Sequence, residues 1–257
     1  MKTVSKILWL FMALMLFDGC GEKSNKKSED KSETEKTERK NLSAVEILGN
    51  PDYPGVSFGG YRHVDHDIEP TLEELKDDMK ILHAAGIRVV RTYKVHFPHA
   101  SNVLKAISEL KEEDENFEMY VMLGAWIDCK NAWTDKESDH NVESEANKPQ
   151  IEEAVRLANK YPDIVKILAV GNESMVKWAE EYYVQPGVIL KWVNYLQDLK
   201  KSGGLSRDLW ITSSDNFASW GGEGAEYHVE DLNKLYHAVD YVSMHTYPFL
   251  DSHYNTD

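Results

Sequence analysis

From Gly55 onward, short apolar, β-branched runs alternate with longer amphipathic segments. The runs fall at residues 56–58, 87–91, 119–123, 164–170, 210–213 and 241–245. Near-continuous apolar runs of this length suit strands buried on both faces, which implies a parallel sheet. The segments between them carry helical spacing and helix ends. Thr71 and Glu74 form a capping-box pair ahead of Leu72, Leu75, Met79 and Leu82, and Gly86 closes that helix. Ile151, Ala154, Val155 and Ala158 make a second stripe, started by Pro149 and stopped at Pro162. Val188, Trp192, Tyr195, Leu196 and Leu199 make a third, ended by Gly203 and Gly204. Residues 102–110 and 229–238 supply two more helices.

Repeated strand–helix units predict an α/β fold, either an open sheet or a closed (β/α)8 barrel. No glycine-rich phosphate loop follows a strand, since Gly59-Gly60 alone is weak, so a nucleotide-binding sheet is disfavoured and no cofactor is implied. In a barrel, the functional residues sit at the C-terminal ends of the strands. The polar clusters fall there: Tyr61-Arg62-His63, Tyr93-Lys94, Trp126-Ile127-Asp128, Asn172-Glu173, Asp215-Asn216 and His245-Thr246-Tyr247. Six units are visible where a TIM barrel has eight. The globular part is roughly 210 residues against about 250 in the usual barrel. The expectation is therefore a barrel lacking its last two units, with unpaired sheet edges.

The first residues read differently. Lys2 and Lys6 precede an apolar run at 7–17, too short to span a bilayer comfortably, and the run stops at Asp18-Gly19-Cys20. A small residue followed by Cys resembles a lipobox, although Asp18 departs from that pattern. Residues 22–40 are almost entirely polar and charged, with nothing to bury. The expected organisation is a signal peptide over 1–20, a solvated tether over 21–41 and a barrel domain over 42–257. Cys20 would be lipidated, anchoring the chain to a membrane of the cell envelope. Cys129 is then a lone thiol. The formal charge of -15 argues against a nucleic-acid groove and suits a neutral ligand such as a sugar.

The strongest chemical motif is Gly171-Asn172-Glu173 at the end of the fourth apolar run. Cleaving a glycosidic bond needs a carboxylic acid on a rigid strand end to protonate the leaving oxygen. An adjacent Asn can bind the sugar 2-hydroxyl. Trp126, Trp133, Trp178 and Trp220 lie in or near loops after strands, where indole faces stack on pyranose rings. Of these, Trp126 and Trp220 are closest to strand ends. The histidine pairs His63/His66 and His96/His99 invite a metal reading. They lack the third ligand or cysteines of a zinc site, and substrate bonding or loop packing is preferred.

On these residues the chain resembles the bacterial branch of glycoside hydrolase family 17, the β-1,3-glucanases. The residues that carry the resemblance are Gly55-Val56-Ser57-Phe58-Gly59, Ile87-Arg88-Val89-Val90-Arg91-Thr92-Tyr93, Val170-Gly171-Asn172-Glu173 and Val242-Ser243-Met244-His245-Thr246-Tyr247-Pro248-Phe249. The resemblance implies a TIM barrel acting on β-glucan by a retaining mechanism. Glu173 would be the acid/base, Asn172 a 2-hydroxyl ligand, and Tyr93 and Tyr247 substrate-side residues. Arg91 would lie beneath the catalytic carboxylates. Trp126, Asp128, Asp215, Trp220 and His245 are the other candidate substrate contacts. The family nucleophile is a Glu at the end of the seventh strand, a position beyond Asp257. Asp65, Asp67, Asp128 and Asp215 could in principle replace it, and their more ordinary roles are loop, cap or subsite. A glucan transferase and a non-catalytic glucan-binding lipoprotein remain as alternatives.

Overall fold

The computed structural model describes residues 41–65, 68–95, 98–222 and 224–247. The leader, Cys20, all of the tether but Asn41, His66, Asp67, His96 and the Pro248-Phe249 pair lie outside the described residues.

Six strands form one sheet: β1 (Gly55–Ser57), β2 (Val89–Arg91), β3 (Tyr120–Ala125), β6 (Val165–Asn172), β7 (Trp210–Asn216) and β8 (Ser243–His245). They are ordered β1-β2-β3-β6-β7-β8, and every neighbouring pair is parallel. A helix follows each of the first five: α2 (Leu72–Ala84), α3 (Pro98–Glu113), α4 (Asn147–Lys160), α5 (Pro186–Ser202) and α6 (Glu230–Ala238). The sheet curls into a half-barrel with the helices outside, the TIM-barrel type of α/β fold expected from the alternation. Among the described residues no helix is long and apolar enough to cross a membrane.

The expected helix ends recur. Glu74 donates its backbone N–H to the Thr71 hydroxyl, and its carboxylate accepts from Thr71 N at 2.9 Å. Gly86 and Gly203 turn the chain in the left-handed region after α2 and α5. Ile151, Ala154, Leu157 and Ala158 bury one stripe of α4 against the sheet. Each large aliphatic side chain buried this way contributes about 1.5–3 kcal/mol. Tyr195 departs from its expected stripe: it is exposed and meets Trp192 edge-on. Helix α3 starts at Pro98, four residues before the apolar periodicity, because a proline fits a first helical turn.

Burial on both faces holds for β3 and β6, which are buried almost throughout, and fails for β1 and β8. Those two are the sheet's edges, so their apolar residues Val56 and Met244 are partly exposed, as is Val242 just before β8. The short helix α1 (Ala44–Ile47) closes the N-terminal end of the half-barrel: Leu42 and Ile47 pack on Val89 and Tyr120. The amide of Ala44 donates to Asp208 just before β7. One element was not expected. The antiparallel pair β4 (Cys129–Lys130) and β5 (Asp139–Glu143) forms a hairpin in the connection after β3.

His99, in the first turn of α3, is buried between Phe58 (5.8 Å) and Tyr61 (5.6 Å), both rings stacked on the imidazole. Burial, helped by the charge of Lys94, pushes its pKa down to about 4. The neutral ring is therefore the one that fits, and protonation favours the unfolded chain. Relative to a His99→Phe variant, which keeps the stack and cannot titrate, the wild-type protein should lose about 3 kcal/mol as pH falls from about 6.5 to about 4. Urea midpoints of both proteins at pH 7.5 and 4.5 measure this; parallel pH dependences would contradict it.

Candidate active site

The end of β6 makes a tight turn. Gly171 has φ +82°, and a Cβ there would fall 2.6 Å from Ser174 Oγ. Two residues later Glu173 itself lies in the left-handed region, at φ +49°. For a side chain with a Cβ this costs on the order of 1–3 kcal/mol, and it persists only where the surroundings fix it. Four contacts do so. The Glu173 amide donates to Ser214 O on β7 (2.8 Å), and Ser174 Oγ accepts from Asn172 N (3.2 Å). The Ser174 hydroxyl donates to Ile127 O (2.8 Å), and Met175 N donates to Asp215 Oδ2 (2.8 Å).

Asp215 is fully buried, and its other oxygen accepts from Asn216 N at 2.9 Å. It was expected at the ligand; the structure turns it inward as the acceptor that ties β7 to the turn after Glu173. Burial pushes its pKa up to about 6, and the nearby Glu173 charge adds to the rise.

The Glu173 carboxylate meets His245 at the end of β8, Oε1 to Nδ1, at 2.9 Å. On the far side of the ring, Nε2 lies 2.8 Å from Ser214 Oγ, which is 3.1 Å from Ser243 Oγ. A neutral imidazole satisfies both contacts by donating from Nδ1 to Glu173 and accepting at Nε2 from the Ser214 hydroxyl. Next to Glu173, Asn172 Oδ1 accepts from the Arg91 guanidinium, which also donates to Ser57 Oγ (3.1 Å). Arg91 lies 5.0 Å over the ring of Tyr93. Burial pulls its pKa down, while Tyr93, Tyr247 and Glu173 oppose this. Its Nε is buried with no hydrogen-bond partner among the described residues. Tyr247 is 45% exposed and edge-on to His245, with ring centroids 6.4 Å apart.

A cavity of about 580 Å³ opens beside the end of β3, lined by Lys94, Trp126, Asp128, Trp133, Pro149 and Gln150 among others. The indole N–H groups of Trp126 (3.1 Å) and Trp133 (2.9 Å) both donate to Asp128 Oδ2. Helix α4 holds this loop: Asn147 exchanges two hydrogen bonds with the Asp128 backbone, and Gln150 Oε1 accepts from Val95 N and Trp126 N. Trp133 stacks on Tyr182, centroids 5.1 Å apart. Tyr182 belongs to the connection after Glu173, and Cys129 N on β4 donates to its carbonyl.

The structure thus gathers Arg91, Tyr93, Asn172, Glu173, His245 and Tyr247 at one end of the sheet, and Trp126 and Asp128 around the adjoining cavity. Trp220 is not among them. It is buried beneath Tyr236 and donates to Ser243 O, so its indole plugs the wall of the half-barrel. Trp178 is exposed in the connection after β6. Sequence reasoning missed Tyr182, Gln150 and Ser214. Ser214 could have been found, since it precedes Asp215 near the end of β7; Tyr182 and Gln150 carry no such mark. Among the described residues no group of three or more His, Cys, Asp or Glu side chains is arranged to hold a metal.

No family model and no curated protein matches this chain. Among solved structures it is similar to an endo-laminarinase from Formosa Hel1_33_131, with 65% sequence identity and a TM-score of 0.81. That alignment covers 83% of this chain and 55% of the other, so the chain spans about half the length of that relative. The endo-β1,6-glucanase BT3312 aligns at 11% identity and TM-score 0.48, over 77% of this chain and 54% of the other. A GH18 chitinase from Pseudoalteromonas aurantia aligns at 13% and 0.37, over 74% and 64%. These two are too distant to bear on the site.

Asp215 gives a pH signature opposite in sign to that of His99. Its folded pKa lies above the unfolded value, so its charge weighs against folding increasingly as pH rises from about 4 to above 6. Across that range an Asp215→Asn variant should gain about 3 kcal/mol relative to wild type. Urea unfolding of both proteins at pH 4 and 7.5 measures it, and a pH-independent difference would contradict it.

Proposed function

We propose that this chain belongs to a retaining β-1,3-glucan hydrolase of glycoside hydrolase family 17, with Glu173 as its acid/base. The observation that carries this reading is the mounting of Glu173: a carboxylate on the turn that ends a buried strand, bonded to His245 and flanked by an Asn pinned to a half-buried Arg. The similarity to an endo-laminarinase supports a laminarin-type substrate and cleavage within the chain.

In the first step, the protonated Glu173 gives its proton to the glycosidic oxygen as that bond breaks. A second carboxylate attacks the anomeric carbon from the opposite face and forms a covalent glucosyl intermediate. Glu173, now ionised, then takes a proton from the water that attacks the same carbon. In the resemblance this second carboxylate is a Glu at the end of the seventh barrel strand. The unsatisfied Nε of Arg91 supports a carboxylate at that place, because a buried guanidinium N–H without an acceptor is costly and an anion would complete it. Asp215 is a poor substitute, since both its oxygens are engaged by backbone amides.

His245 has a defined part in this cycle. Its Nδ1–H donates to Oε1, fixing the carboxyl plane and leaving Oε2 to face the leaving oxygen. When Glu173 becomes charged, the same bond strengthens. Asn172, with its Oδ1 taken by Arg91, presents its amide N–H groups to the sugar 2-hydroxyl.

The test is reducing-sugar release from laminarin by the natural full-length protein and its Glu173→Gln variant. The expected loss in kcat is about 10²–10⁴-fold, with oligosaccharide binding retained. Proton NMR of early products should show the β-anomer first. Activity of Glu173→Gln within a few-fold of wild type, or an α-anomer first, would contradict the proposal.

A further inference from the structure

We propose that Trp133 is a preformed sugar subsite, whose exposed indole face takes the apolar face of a hexopyranose ring, with Asp128 as the positioning residue that holds it. This deepens the glucan reading above and rests on it.

Trp133 combines four properties that conflict unless a ligand uses it. It is 59% exposed, a large apolar surface left in water. Its backbone lies in the left-handed region at φ +61°, which costs on the order of 1–3 kcal/mol for a bulky residue. Its one polar atom points inward to Asp128 Oδ2. One ring face rests on Tyr182 with the planes only 21° apart. With the N–H consumed internally, what Trp133 offers to solvent is hydrocarbon and π-surface. That surface complements the axial C–H groups of a β-linked hexose, whose hydroxyls lie around the ring edge.

The mount is rigid. Asp128 is buried, its backbone is clamped on both sides by the Asn147 side chain, and one of its oxygens accepts from two indoles at once. Fixing the ring before the sugar arrives removes most of the entropy cost of ordering it. Asp128 therefore acts through Trp133 and Trp126 on the ligand.

Position follows from the neighbours. The cavity of about 580 Å³ lies within the roughly 300–1,000 Å³ range of small-molecule sites and is large enough for sugar rings. Lys94 and Gln150 supply polar groups on its wall. Tyr182, under Trp133, is half-buried. Ile127, the neighbour of Asp128, accepts from the Ser174 hydroxyl directly after Glu173 at 2.8 Å, so the platform's mount is joined to the acid's own turn and faces a neighbouring ring of a bound oligosaccharide.

The experiment is titration calorimetry in the full-length Glu173→Gln background, with β-1,3-linked glucohexaose and β-1,4-linked glucohexaose as probes. Trp133→Ala is expected to weaken binding of the preferred hexaose about tenfold, with no loss in thermal stability. Trp133→Phe should stay within about threefold, because the ring face survives. Asp128→Asn should fall between them, since its amide oxygen still accepts the indoles but without the charge that strengthens those bonds. Undiminished binding by Trp133→Ala would overturn the subsite while leaving the glucan reading standing. Preference for the β-1,4 hexaose, with the Trp133 penalty intact, would support the subsite and overturn the β-1,3 assignment. No binding of either hexaose by the parent protein would overturn both.

Discussion

The backbone of Glu173 is held in a left-handed conformation that a residue with a Cβ seldom adopts alone, and the role proposed for its carboxylate depends on that constraint. The left-handed turn at 171–173 throws the side chain out of the strand and toward the end of the sheet. Much of what surrounds it serves that turn. Asp215 accepts from the Met175 amide that follows it, Ser174 straps it to the preceding unit, and Ser214 receives the Glu173 amide. A buried carboxylate pushed up to about 6 is an expensive way to hold a loop. It gives a charge-strengthened acceptor for backbone amides that an apolar residue would leave unpaired.

The same logic extends outward through the aromatic residues. The β4–β5 hairpin carries Cys129, whose amide fixes Tyr182, and Tyr182 supports Trp133. Helix α4 reaches the loop through Asn147 and Gln150. Side chains that would contact a ligand are thus each backed by a residue that does not, which is how a site on loops reaches the precision of one on strands.

The fold was legible because its determinants are local. Thr71, Glu74, Gly86 and Gly203 mark helix ends by rules that need no partner, and the apolar run before Asn172 ends a strand wherever the sheet lies. The place of Glu173 at a strand end was legible for the same reason. The division of labour among the other polar residues was not. Asp128 and Asp215 both follow strands, and only their tertiary neighbours decide that one pins indoles beside the cavity while the other receives backbone amides in the core. Trp126 and Trp220 divide likewise. The pairing of His245 with Glu173 was not legible, because two strands distant in sequence bring them together. The hairpin strand Asp139–Glu143 has no alternation of apolar residues to announce it.

The central claim, that Glu173 is the acid/base of a retaining cycle, is tested most directly by azide rescue of Glu173→Ala in the full-length protein. The substrate is a 2,4-dinitrophenyl β-laminarioligoside, whose leaving group departs without acid help, so the covalent intermediate forms and its hydrolysis becomes limiting. Azide needs no general base, attacks the anomeric carbon and releases the enzyme carboxylate. The account predicts accelerated turnover and a glycosyl azide of β configuration. An α-glycosyl azide would make Glu173 the nucleophile, and no acceleration by azide would remove it from the proton transfers altogether.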